Sequence, residues 1–85
     1  MNYDPFLNIL PTVDLHGYNR DMVKYLVDNF INDNIKLNNK KVIIIHGIGK
    51  GIVKEELYFL LKKDKRVKKY YLDTFNIGET IIELY

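Results

Sequence analysis

Two His-Gly steps carry most of the chemical potential of this chain: Asp14-Leu15-His16-Gly17 and His46-Gly47-Ile48-Gly49-Lys50-Gly51. They contain its 2 histidines. Asp14 and His16 stand two apart in an alternating stretch, so on a strand both side chains emerge on one face. A carboxylate beside an imidazole orients its tautomer and raises its pKa, which suits general acid or base work near neutral pH. The bland alternative is a surface hydrogen bond or a turn cap. The second motif joins flexible backbone, amide donors and Lys50 just ahead of a helix-like run. That combination suits a phosphate, held by N–H groups and the positive end of a helix dipole. It matches neither a P-loop, which needs Ser or Thr where Gly51 stands, nor a dinucleotide fingerprint, which needs glycine at Ile52. Without a ligand it is simply a glycine-rich strand-to-helix turn.

The surrounding pattern indicates how these motifs are positioned. Thr12 to His16 alternates as a strand does, and Gly17 breaks it. Asn19 is a candidate N-cap for a helix whose stripe is Met22, Val23, Leu26, Val27, Phe30 and Ile31. Asn38-Asn39 marks a turn, and Lys41 to Ile45 reads as a central buried strand. After the second motif, Val53, Leu57, Leu60 and Leu61 define another helix. Strands over Val67 to Leu72 and Thr80 to Leu84 follow, joined through Gly78. The order is β-α-β-α-β-β. It predicts an α/β (α+β) two-layer sandwich, with a mixed four-stranded sheet, the last strand antiparallel and both helices on one face. Parallel strands joined by crossovers end on the same sheet edge, which would gather both histidines, Asp14 and the glycine loop. Residues 1–11 read as a lead segment, in which Phe6, Leu7, Ile9 and Leu10 could cover a sheet face. Residues 12–85 read as one domain.

Composition narrows the chemistry. The chain contains no serine, cysteine, alanine, glutamine or tryptophan. Ser-His-Asp and Cys-His mechanisms are therefore excluded, since the nucleophile is missing, as are disulfides and zinc-thiolate sites. No apolar run reaches the roughly 20 residues of a membrane span and no secretory signal is recognisable, so a cytoplasmic location is expected, with no membrane partner. The net charge of +2 is compatible with a nucleic acid but does not require one. A basic run, Lys62, Lys63, Lys65, Arg66, Lys68 and Lys69, precedes Tyr70 and Tyr71. It is more often a solvated helix end, yet Lys65 and Arg66 are candidate backbone contacts. Asp14, His16 and His46 could offer a mixed nitrogen and oxygen metal site, and Mg²⁺ on the single carboxylate of Asp14 would leave no sequence signature.

Taken together, Val13-Asp14-Leu15-His16-Gly17, a helix, an apolar strand and His46-Gly47-Ile48-Gly49-Lys50-Gly51 resemble the two hallmark boxes of the Smr (small MutS-related) domain, over residues 12 to 84. Met1 and the short lead resemble a stand-alone bacterial form. The resemblance implies a fold like the C-terminal domain of translation initiation factor 3. It also implies a nucleic acid endonuclease, nicking DNA or cleaving RNA, with a possible link to the ribosome. On this pattern Asp14 and His16 are the catalytic candidates, while His46, Gly47, Gly49, Lys50 and Gly51 form the phosphate-contacting loop. Two departures stand out. Val13 replaces the usual first leucine, an apolar exchange. The segment before the last strand, often glycine-rich in the family, is Phe75-Asn76-Ile77-Gly78-Glu79-Thr80, where a carboxylate would repel a phosphate backbone. The alternatives are a non-catalytic module binding structured nucleic acid or the ribosome, and a binder of a small phosphate ligand. The choice of DNA or RNA, the need for metal and the oligomeric state stay open at this point.

Overall fold

Side-chain alternation dictates the sheet. In Lys41–Ile45 and Glu79–Leu84 every second residue is buried (Val42, Ile44; Thr80, Ile82, Leu84) and the intervening ones are not. Each strand thus turns one face to a core and the other away from it. The computed structural model describes residues 10–85 and shows six elements. These are β1 (Thr12–Asp14), α1 (Arg20–Lys36), β2 (Lys41–Ile45), α2 (Ile52–Leu61), β3 (Val67–Leu72) and β4 (Glu79–Leu84). The predicted order and fold class hold. Phe6, Leu7 and Ile9, expected to cover a sheet face, lie outside the described residues.

The four strands lie in the order β1-β2-β4-β3. β1 pairs parallel with β2, and β4 runs antiparallel to both β2 and β3. The last strand of the sequence therefore fills the position between β2 and β3. Its register sets Ile45 opposite Glu79, so β4 begins at the edge where β1 and β2 end. β3 begins at the other edge, with Val67 opposite Leu84.

Both helices cover the face that presents Leu15, Val42, Ile44, Ile82 and Leu84. α1 contributes Val23, Val27 and Ile31, at four-residue steps, and α2 contributes Val53, Leu57 and Leu61. These spacings put one side of each helix against the sheet, with on the order of 2 kcal/mol gained per fully buried aliphatic side chain. Met22, expected in the α1 stripe, is instead exposed. The predicted cap is present: Asn19 Oδ1 accepts from the Met22 amide at 3.0 Å. At the other end Asn38 takes the left-handed conformation, φ 61°, that closes the turn foreseen at Asn38-Asn39. No helix among the described residues is long and apolar enough to cross a membrane.

Candidate active site

β1 is shorter than the alternation suggests, because the Asp14 side chain ends it. Asp14 Oδ1 accepts the His16 backbone N–H at 3.0 Å and also meets His16 Nδ1 at 2.5 Å. The backbone turns there: Tyr18 N–H reaches Leu15 carbonyl at 3.2 Å, and Gly17 supplies φ 83°. Leu15 stays fully buried, its amide bonded to Ile45 carbonyl at 2.7 Å, which fixes the turn to β2. Hydrogen bonding from His16, first from the ring and then from the amide, holds the Asp14 carboxyl below its ordinary range. Ionised, it can only accept, so the proton of a neutral His16 sits on Nδ1. Nε2 is left with its lone pair on an exposed ring, free to take a proton from an approaching group.

His46 is different in kind. Only 5% of it is exposed, and both ring nitrogens are used. Nδ1 lies 2.8 Å from Gly47 carbonyl, and Nε2 lies 2.9 Å from Thr80 Oγ1, which is itself 2.8 Å from Tyr58 OH. A carbonyl only accepts, which fixes every direction in the chain. Nδ1 donates to Gly47, Thr80 donates to Nε2, and Tyr58 donates to Thr80. The Tyr58 ring also packs edge-on against His46 and Tyr70. Expected to contact phosphate, His46 lies buried with both ring nitrogens bonded inside the protein, where it braces the start of the glycine loop.

Gly47 is likewise bonded within the protein. Its amide, together with that of His46, donates to Gly78 carbonyl, each at 2.9 Å. Its own carbonyl is held by His46. The need for glycine is steric: φ is +82°, and an added Cβ would lie 3.1 Å from His16 Cβ. The two motifs do meet, through this contact. Beyond Gly47 the backbone is open. Among the described residues, the amides of Ile48, Gly49, Lys50 and Gly51 donate to no backbone acceptor. Gly51, at φ 77°, caps α2 with no side-chain hydrogen bond, in contrast to Asn19 on α1. The first-turn amides of α2 therefore join those of the loop. A cleft of about 390 Å³ lies between Gly17–Arg20 and Ile48–Val53, with Lys50 on its wall.

The remaining candidates lie elsewhere. Lys65 and Arg66 precede β3 and so sit at the edge opposite Asp14, with Val67 paired to Leu84. Arg66 donates through Nε and Nη2 to Asp64, at 2.9 and 2.7 Å, and through Nη2 to Asp28 at 3.0 Å. The guanidinium ties α1 to the α2–β3 connection, and the Asp64 carboxyl is lowered by that hydrogen bonding. Arg66 thus stands at the edge away from the glycine loop, paired with Asp64 and Asp28. The mixed metal site also fails to form. His46 is fully engaged, and among the described residues no group of three or more His, Cys, Asp or Glu side chains could hold a metal ion.

Sequence reasoning missed Thr80, Tyr58 and Gly78. No spacing announces them, since their role depends on β4 lying against β2.

Chain and fold can now be set against known proteins. The Smr domain family model matches residues 13–84. The chain belongs to the Smr domain family. Relatives of this Smr domain include the Endonuclease MutS2 of Finegoldia magna, 38% identical over 80 residues, and that of Acetivibrio thermocellus, 35% identical over 80 residues. Each alignment covers 91% of this chain and 10% of the relative, so the chain spans about a tenth of the length of these relatives. The crystal structure of the Smr domain of Thermus thermophilus MutS2 superposes with a TM-score of 0.86 at 24% identity, covering 89% of this chain and 99% of that one. YdaL, a stand-alone small MutS-related protein from Escherichia coli, gives 0.81 at 21% identity, covering 86% and 63%. These two likenesses establish the fold.

Burial depresses the His46 imidazole below its ordinary value of 6.5, against the opposing bond to Gly47 carbonyl and with help from the nearby Lys54 charge. The sign follows directly. Above 6.5 folded and unfolded chains are both neutral at this position, and the contribution to stability is complete. As pH falls through 6.5 the unfolded chain binds a proton that the folded one refuses, so stability is lost until the depressed folded value is reached. Denaturant unfolding across this range is expected to show stability beginning to decline near 6.5. His46→Gln should flatten that segment of the profile; an unchanged slope in the variant would place the titration elsewhere.

Proposed function

We propose that this Smr domain is a nucleic acid endonuclease that cleaves the phosphodiester backbone. The observation that carries the reading is the nearness of two parts: a His16 ring with a free Nε2, oriented by Asp14, whose Cβ lies close to Gly47 at the start of a loop that continues into open amides and an uncapped helix N-terminus. The loop and Lys50 hold the phosphate and stabilise the charge that develops on it. His16 Nε2 accepts the proton of the attacking oxygen and returns it to the departing one. On RNA the neighbouring 2′-OH is that oxygen. It attacks phosphorus, the 5′ oxygen leaves with the proton, and a 2′,3′-cyclic phosphate remains. That route needs no nucleophile from the protein, which accords with a chain that contains neither serine nor cysteine. On DNA the attacking oxygen is that of water. The name Endonuclease MutS2 borne by the relatives supports the reading at the level of reaction class.

Supercoiled plasmid and single-stranded RNA, each incubated with the protein with and without Mg²⁺, test the proposal. Nicking or strand cleavage is expected, and cyclic phosphate ends mark the 2′-OH route. Lys50→Ala should weaken binding roughly tenfold and slow the bound-state rate as well, since it removes a charged contact to the phosphate both before and during the reaction. Binding without cleavage on either substrate would replace the enzyme by a module that docks on structured nucleic acid or the ribosome.

A further inference from the structure

The edge that carries His16 and the glycine loop also carries bare apolar side chains. Phe75 is 99% exposed, Ile48 66% and Ile77 54%. Apolar groups are uncommon partners for a phosphate, and a fully exposed phenylalanine gains nothing for the fold. Its position is nevertheless fixed. Phe75 N–H donates to Asp73 Oδ1 at 2.9 Å, Gly78 N–H to Asn76 Oδ1 at 3.0 Å, and Asn76 Nδ2 to Glu79 Oε1 at 2.9 Å. The loop is braced by its own side chains. It is also fastened to the glycine loop: Gly78 carbonyl accepts two amides from His46 and Gly47, and a Cβ on Gly78 would stand 3.6 Å from Ile48 Cγ1.

Charge divides this edge into two sides. Lys50 and the free amides stand on the glycine loop, whereas Asp73 and Glu79 flank Phe75 in sequence at the start and end of its loop. Burial and then the neighbouring Asp73 carboxyl raise the Glu79 carboxyl above its ordinary range, and two adjacent acidic side chains are unfavourable ground for a phosphate. A nucleobase is uncharged. Its ring gains by stacking on an aromatic face, and its exocyclic amines can donate to carboxylates.

We infer that Phe75, with Ile77 and Ile48, forms a stacking platform for an unpaired nucleobase beside the phosphate held by the glycine loop and Lys50. This rests on the nucleic-acid reading above and adds a substrate class to it. Bases in an intact duplex have both faces covered, so the platform favours single strands, loops and extruded nucleotides.

The chain contains no tryptophan, so Phe75→Trp introduces a single tryptophan at the platform, to be excited selectively over the 7 tyrosines. Its emission is expected to be quenched by a short single-stranded oligonucleotide and left unchanged by the same backbone made abasic. Phe75→Ala, at a side chain that packs against nothing, should bind the normal oligonucleotide about tenfold more weakly and the abasic one as the wild type does. A duplex of the same sequence should bind wild type more weakly than the single strand. Equal affinity of Phe75→Ala and wild type for the single strand, or equal quenching by the abasic strand, overturns the platform. In either case Lys50→Ala that weakens both strands alike leaves the phosphate grip standing. A wild-type protein that binds neither strand removes both.

Discussion

Replacing His16 by alanine is expected to lower the cleavage rate about 10²- to 10⁴-fold, the range for a lost general acid or base, while leaving affinity for the substrate nearly unchanged. The ring is exposed and contributes nothing to the core, so the variant should fold as the wild type does. Asp14→Asn is expected to cost less, on the order of tenfold. An asparagine Oδ1 can still accept both hydrogen bonds from His16, which preserves the tautomer, and only the charge that steadies an imidazolium is lost. The order His16→Ala below Asp14→Asn below wild type, in single-turnover cleavage at saturating protein, is the signature of a positioned base. Cleavage that survives His16→Ala would remove His16 from the chemistry altogether.

The second large effect is expected far from any substrate. Thr80 is completely buried, and its hydroxyl is both acceptor for Tyr58 and donor to His46. Thr80→Val keeps the shape of the side chain and removes the hydroxyl. It strands two polar groups in a low-dielectric interior, at a cost of about 2–4 kcal/mol. For a domain of this length that corresponds to a fall in Tm of roughly 10 °C or more. Thr80→Ser, which restores the hydroxyl, should recover most of the loss. Tyr58→Phe should cost about 1 kcal/mol, because Thr80 can still donate to His46. The same Thr80→Val variant should also loosen the loop, since His46 holds Gly47 carbonyl only while its own ring is held. Wild-type stability in Thr80→Val would show that the chain of hydrogen bonds carries no weight.

These two sites also mark what sequence could and could not convey. Asp14 and His16 were legible because period-two spacing states that two side chains share a side, whatever the rest of the chain does. The mechanism of their meeting differs slightly: the carboxylate ends the strand by taking the His16 amide, and the pair sits in the resulting turn. The helices were legible from periodicity, and Asn19 from its position just before the stripe. The burial of His46 was not legible, because a histidine before glycines looks the same whether its ring faces solvent or core. Its burial depends on β4 lying beside β2, a pairing of residues 34 positions apart for His46 and Thr80. The ion pairs of Arg66 were not legible for a related reason. Its place in a basic run says nothing about which sheet edge the run occupies, and its tie to Asp28 spans 38 positions. Local pattern specified the elements; the order in which the sheet collects them specified which motif residues face a ligand.

That order has a further consequence for how the protein is made. The strand added last lies inside the sheet, between two strands laid down before it. Until residues 78–84 have left the ribosome, Gly78 cannot hold the glycine loop and Thr80 cannot hold His46. A growing chain therefore carries Asp14, His16 and Lys50 without the geometry that makes them useful. Contacts of such long sequence separation form late. The braced glycine loop and β4 come into being in one event, so the edge proposed to cut is assembled only once that strand is in place.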